Sequence, residues 1–97
     1  MDRRRTVELL SRSMPELRDR FGVTRLALFG SMVRGTARSD SDVDVLVAFD
    51  GPATSARYFG VQFYLEDLLG RPVDLVTERA LRPELRPAID REQVGIG

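Results

Sequence analysis

Three short apolar runs decide what this chain can fold into: residues 26–29, Val43 to Phe49, and residues 73–76. Each is too short for a buried helix. Each is also bounded by a breaker: Gly30 after the first, Asp50-Gly51-Pro52 after the second, and Pro72 before the third. They read as strands of one sheet, and segments of helical period lie around them. Val7, Leu10, Leu17 and Phe21, with Met14 between them, recur near helical spacing. Pro15 removes an amide donor and disfavours helix at Met14. The pattern therefore predicts a break there, with Ser13 capping a second short helix and Gly22 stopping it. Residues 30–35 read as a turn holding one helical turn, and residues 36–41 as a polar loop. Ser55 to Leu69 carries Tyr58, Val61, Leu65 and Leu68 at helical spacing, and Gly70 ends it. Residues 83–94 read as a last helix, with Pro87 near its start. The order is α-β-α-β-α-β-α. The architecture expected is α/β (α+β): a small mixed β-sheet with helices packed on one face. Helices around Leu10, Leu17, Leu65 and Ile89 would supply the core and leave the other face of the sheet open.

With 97 residues and no long linker, residues 1–97 form one domain with one modest core. No apolar run approaches the roughly 18 residues of a membrane span. The basic start, Met1-Asp2-Arg3-Arg4-Arg5, is not followed by an apolar signal core, so a cytoplasmic setting is expected. There are no cysteines and no histidines. That excludes disulfides, thiolate metal sites, cysteine nucleophiles and imidazole chemistry. Catalysis must rest on carboxylates, hydroxyls, Lys or Arg, backbone amides or a hard cation. The 15 basic and 15 acidic residues cancel, so no direct nucleic-acid binding is expected.

Asp44 is the residue that most needs explaining. It interrupts an apolar strand, where an isolated carboxylate is costly to desolvate. It needs either an Arg partner or a cation. Side chains alternate along a strand, so Asp42 and Asp44 share one face while Val43, Val45, Val47 and Phe49 point to the core. Two carboxylates on one face repel unless a cation lies between them. With no Cys or His, a hard oxygen-seeking ion such as Mg²⁺ is the natural choice. Asp74 repeats the pattern between Val73 and Leu75. If its strand pairs beside the first, three carboxylates converge. Such a set suits two metal ions and in-line displacement at phosphorus. Gly30 permits a tight turn and close approach of a phosphate to the backbone. Ser31 and Met32 then offer amide donors, Ser31 adds a hydroxyl, and Arg34 and Arg38 are available to pair with phosphate.

The set comprises a strand, Gly-Ser, ten intervening residues, Asp-x-Asp in a strand and a distal in-strand Asp. It resembles the signature of the nucleotidyltransferase superfamily that shares the DNA polymerase β palm. The stretches Leu28-Phe29-Gly30-Ser31, Arg34-Gly35, Ser41-Asp42-Val43-Asp44 and Leu68-Leu69-Gly70-Arg71-Pro72-Val73-Asp74-Leu75 look like the minimal nucleotidyltransferases. The likeness runs from about residue 26 to residue 81. It implies the nucleotidyltransferase fold, ATP as substrate and Mg²⁺ as cofactor, two ions in number. Asp42, Asp44 and Asp74 would be the metal-binding and catalytic residues. Asp74 would complete the metal site or help deprotonate the attacking hydroxyl. Gly30, Ser31 and Arg34 would hold the triphosphate. It also implies the antitoxin half of a toxin–antitoxin pair, transferring AMP to a tyrosine of a HEPN-type toxin. Two other readings stay open. One is an antitoxin that masks its partner without chemistry. The other is an adenylyltransferase acting on a small molecule such as an aminoglycoside. The short glycine-rich tail, residues 94–97, gives no reason to expect a partner contact there.

Overall fold

The fold, a computed structural model, describes residues 2–35 and 42–96. Helix α1 spans Arg3–Phe21. The Asp2 carboxylate caps it by accepting the Arg5 N–H at 2.8 Å. Gly22 closes it in the left-handed region at φ 71°. The break expected at Pro15 does not occur. Pro15 lies on the exposed side of the helix, and the carbonyl it leaves unpaired, that of Ser11, is on that side too. Water can satisfy it there, so the helix continues. Ser13 is not a cap but a buried mid-helix residue whose hydroxyl donates to the Leu9 carbonyl at 3.0 Å.

Strand β1, Val23–Phe29, begins earlier than its apolar run suggests. The core takes Val23, Leu26 and Leu28 from it, which a strict alternation cannot deliver. A register shift between Val23 and Arg25 supplies the missing step. The one-turn helix α2, Ser31–Arg34, follows. Strand β2, Val43–Phe49, and helix α3, Ser55–Leu69, have the bounds their patterns indicate. The Thr54 hydroxyl caps α3 by accepting the Arg57 N–H at 3.2 Å. Strand β3, Val73–Thr77, leads into a 3-10 turn, Glu78–Ala80. Helix α4 is shorter than expected, Arg86–Glu92, and a fourth strand, β4, Val94–Ile96, follows it. This strand was not anticipated. Three residues show no period of their own, and they are a strand because β1 offers an edge, pairing Leu28 with Val94 and Leu26 with Ile96.

The sheet order is β3-β2-β1-β4. β2 and β3 run parallel, while β1 is antiparallel to both β2 and β4. Such a mixed sheet with helices is the expected α+β class. Helices α1 and α3 cover one face through Leu10, Met14, Leu17, Val61, Leu65 and Leu69, packed on Val43, Val45 and Val47. Ile89 does not join this core: α4 buries no residue. Polar contacts hold its ends instead, with Arg86 paired to Glu78 at 3.6 Å. The opposite face is also less open than expected. Ala27 and Leu46 are buried there, and Arg25 binds both Glu78 and Gln93, so the chain after β3 lies against part of it. On the outer side of α3, Phe59 and Phe63 are exposed and stack on each other at 6.3 Å between ring centroids. No helix among the described residues is long and apolar enough to cross a membrane.

Candidate active site

The parallel pairing of β2 and β3 sets Asp44 directly opposite Asp74. Both project from the face opposite the valine core, because alternation leaves them no other choice. Asp42 stands one residue before β2, exposed at the same end. The antiparallel register of β1 pairs Phe29 with Asp44, which delivers Gly30 to the same place. Gly30 has φ 74°, and a Cβ built on it would overlap the Asp44 Oδ2 atom. Glycine is thus required here twice, for its backbone angle and for the carboxylate that fills the space above it. Sequence reasoning assigned that space to a phosphate alone.

The electrostatics at Asp44 record the crowding. Its carboxyl is held above the ordinary aspartate value of 3.8, first by burial, then by the charges of Asp74 and Asp42 and by the closeness of the Asp74 carboxyl. The Arg34 guanidinium works in the opposite direction. Repelling all-oxygen donors at one sheet end fit a hard divalent cation. Among the described residues, no three acids lie close enough to hold an ion unaided. Asp44 and Asp74 come together, and Asp42 reaches them through its field rather than by contact. Mg²⁺ takes one or two carboxylates and completes its shell with water and substrate phosphate, so the pair suffices to fit it.

Ser31 opens α2 beside this pair. The Arg34 N–H makes the first helical bond to the Gly30 carbonyl at 3.1 Å and the Val33 N–H shares that acceptor at 3.1 Å, while the earlier amides of Ser31 and Met32 have no partner within the helix. Arg34, at the end of α2, is held by Glu92, whose two carboxylate oxygens lie 3.2 Å from its Nη1. Glu92 also accepts the Gly30 N–H at 3.0 Å. No sequence signal marked Glu92. It falls in a run read only as helix, and what brings it to the site is the pairing of β4 with β1. Arg38 lies outside the described residues. A cavity of about 200 Å³, lined by Val47, Phe49, Thr77 and Arg79 among others, sits at the far ends of β2 and β3 and shares no residue with the carboxylate pair.

Residues 10–93 match the profile of the nucleotidyltransferase domain. The chain is 43% identical over 86 residues to the protein adenylyltransferase MntA of Thermococcus cleftensis, covering 89% of this chain and 87% of that protein. Its fold superposes on a solved minimal nucleotidyltransferase with a TM-score of 0.80 and 41% identity, covering 97% of this chain and 95% of the other. The same fold, at 21% identity and a TM-score of 0.65, occurs in a complex of a tri-AMPylated Shewanella oneidensis HEPN toxin with its MNT antitoxin, over 92% of this chain and 70% of that one.

Proposed function

The chain belongs to the nucleotidyltransferase domain family, and on that premise we propose that it transfers AMP from ATP to a tyrosine hydroxyl of a separate HEPN-type toxin, silencing it as an antitoxin in the cytoplasm. The observation that carries this is the in-register pair Asp44 and Asp74 beside the Gly30-Ser31 turn. Relatives named as protein adenylyltransferases support the reaction, and the toxin complexes of the same fold support the partner.

The chemistry follows from this placement. The acceptor oxygen bonds to the α-phosphorus of ATP while the bond to the bridging β-phosphate oxygen breaks and pyrophosphate leaves. The Gly30 turn, its own N–H taken by Glu92, presents the Ser31 backbone amide and hydroxyl to the triphosphate, and Arg34 supplies positive charge that matches phosphate geometry. Asp44 and Asp74 would hold Mg²⁺, with the charge of Asp42 adding to its attraction, and the ion would supply charge neutralisation of the phosphates. Asp74 is exposed at the rim of the pair, where a carboxylate oxygen can take the acceptor's proton. An acceptor on another protein brings its own walls, excludes water and aligns its hydroxyl for in-line attack.

Co-expression with the partner, followed by intact-mass spectrometry, tests this. The partner should gain one or more AMP masses, and Asp44→Asn should abolish the gain. A partner that stays unmodified yet inhibited at one-to-one stoichiometry would establish masking instead.

A further inference from the structure

We propose that Glu92 is a positioning residue for the nucleotide: its carboxylate ties Arg34 to the Gly30 turn, so that the guanidinium meets the triphosphate already oriented. This rests on the reading of Gly30, Ser31 and Arg34 as the triphosphate grip.

Three observations lead here. Glu92 is the last residue of α4, distant in sequence from the turn, yet one of its oxygens accepts the Gly30 N–H at 3.0 Å. Both oxygens also lie 3.2 Å from Arg34 Nη1, which leaves the Nη2 and Nε donors outside this pair. The Glu92 side chain is 27% exposed against 55% for Arg34, so the more sheltered partner anchors the freer one. The anchor stands two residues ahead of β4, whose pairing with β1 fixes its place. Val94 pairs with Leu28, and continuing that antiparallel register by two residues brings 92 alongside 30. A long arginine side chain on a one-turn helix would otherwise lose much rotamer freedom when it met a phosphate. An ion pair that restricts it beforehand removes that cost from binding.

The test is calorimetric titration of the full chain with Mg²⁺-ATP, in a cycle of Glu92→Gln, Arg34→Ala and the double variant. Glu92→Gln keeps the size of the side chain and an acceptor for the Gly30 N–H, while losing the charge that grips Arg34. It should raise the ATP Kd roughly threefold to tenfold, and Arg34→Ala should raise it at least as much. The double variant should bind no more weakly than Arg34→Ala alone. Glu92→Asp, charged but shorter, should recover part of the loss. An equal penalty for Glu92→Gln in both backgrounds would make Glu92 merely structural and overturn the proposal. Tighter ATP binding in Glu92→Gln would overturn it too, showing an anion that competes with the phosphates. If Arg34→Ala weakens binding and Glu92→Gln and Glu92→Asp do not, the positioning role fails while the grip stands. If Arg34→Ala itself leaves the Kd unchanged, the grip fails and the positioning role with it.

Discussion

Replacing Asp44 with Asn should make the metal-free protein more stable near neutral pH. Folding sets Asp44 opposite Asp74 on a neighbouring strand, and strands lie about 4.8 Å apart. Two unit charges about 5 Å apart repel by about 3 kcal/mol at an effective dielectric of 20. Asp74 is exposed, so water and salt screen most of this, leaving about 1 kcal/mol to be relieved. The Asn side chain keeps the shape, removes the charge and turns an amide donor toward Asp74. For a domain of this length, 1 kcal/mol moves Tm by about 4–8 °C. The sign with pH follows from the raised pKa. The fold favours the protonated Asp44, so its contribution is whole below pH 3.8 and is lost as pH climbs through the raised value. The advantage of Asp44→Asn should therefore be small near pH 4 and full at neutral pH. Circular-dichroism melts in EDTA at several pH values measure it. Adding Mg²⁺-ATP should reverse the order, stabilising the wild type and leaving the variant unmoved. A variant that melts below the wild type in EDTA at pH 7, or a gap that does not narrow toward pH 4, would refute the reasoning.

Gly30→Ala should cost about 1–3 kcal/mol from its positive φ and abolish AMP transfer by displacing Asp44. In an Asp44→Ala background the same change should cost less in denaturant titration, because the overlapping carboxylate is gone. Pro15→Ala should stabilise the chain by about 2 kcal/mol, the helix penalty of proline less its restriction of the unfolded chain. Urea unfolding reads that directly, and a loss of stability would mean Pro15 makes a favourable contact. Leu65→Ala, at a fully buried position of α3, should cost about 2–5 kcal/mol in the same assay, with wild-type-like specific activity in the folded fraction.

Elements with a period and a cap were legible in the sequence. For α3, the spacing of Val61 and Leu65 and the stop at Gly70 fix its extent, and for β2 the alternation and the Asp50-Gly51-Pro52 breaker do the same. Elements defined by a partner were not. β4 exists because β1 has an edge to fill, and the shift that admits Val23 to the core depends on the strand beside it. Pro15 misled because its cost depends on which side of the helix faces water. Ile89 misled because α4 is held through Arg86 and Glu92 rather than by apolar burial. Within the site, alternation sufficed to put Asp44 on the face away from the valine core. That Asp74 would meet Asp44 required β3 to lie next to β2, which no local pattern states. Glu92 was invisible for the same reason.

The parallel ladder that joins Val43 with Val73 and Val47 with Thr77 has a consequence for how such a protein can change over time. Moving the Asp44 and Asp74 backbones past each other would require sliding one strand along the other. A slip of a single residue would turn every side chain of that strand to the wrong face. The opposition of the two carboxylates is therefore set by the backbone register rather than by loop conformation. The outer side of α3, where Phe59 and Phe63 meet solvent, carries no such restraint. Substitutions on that side can reshape the surface without moving the carboxylate pair.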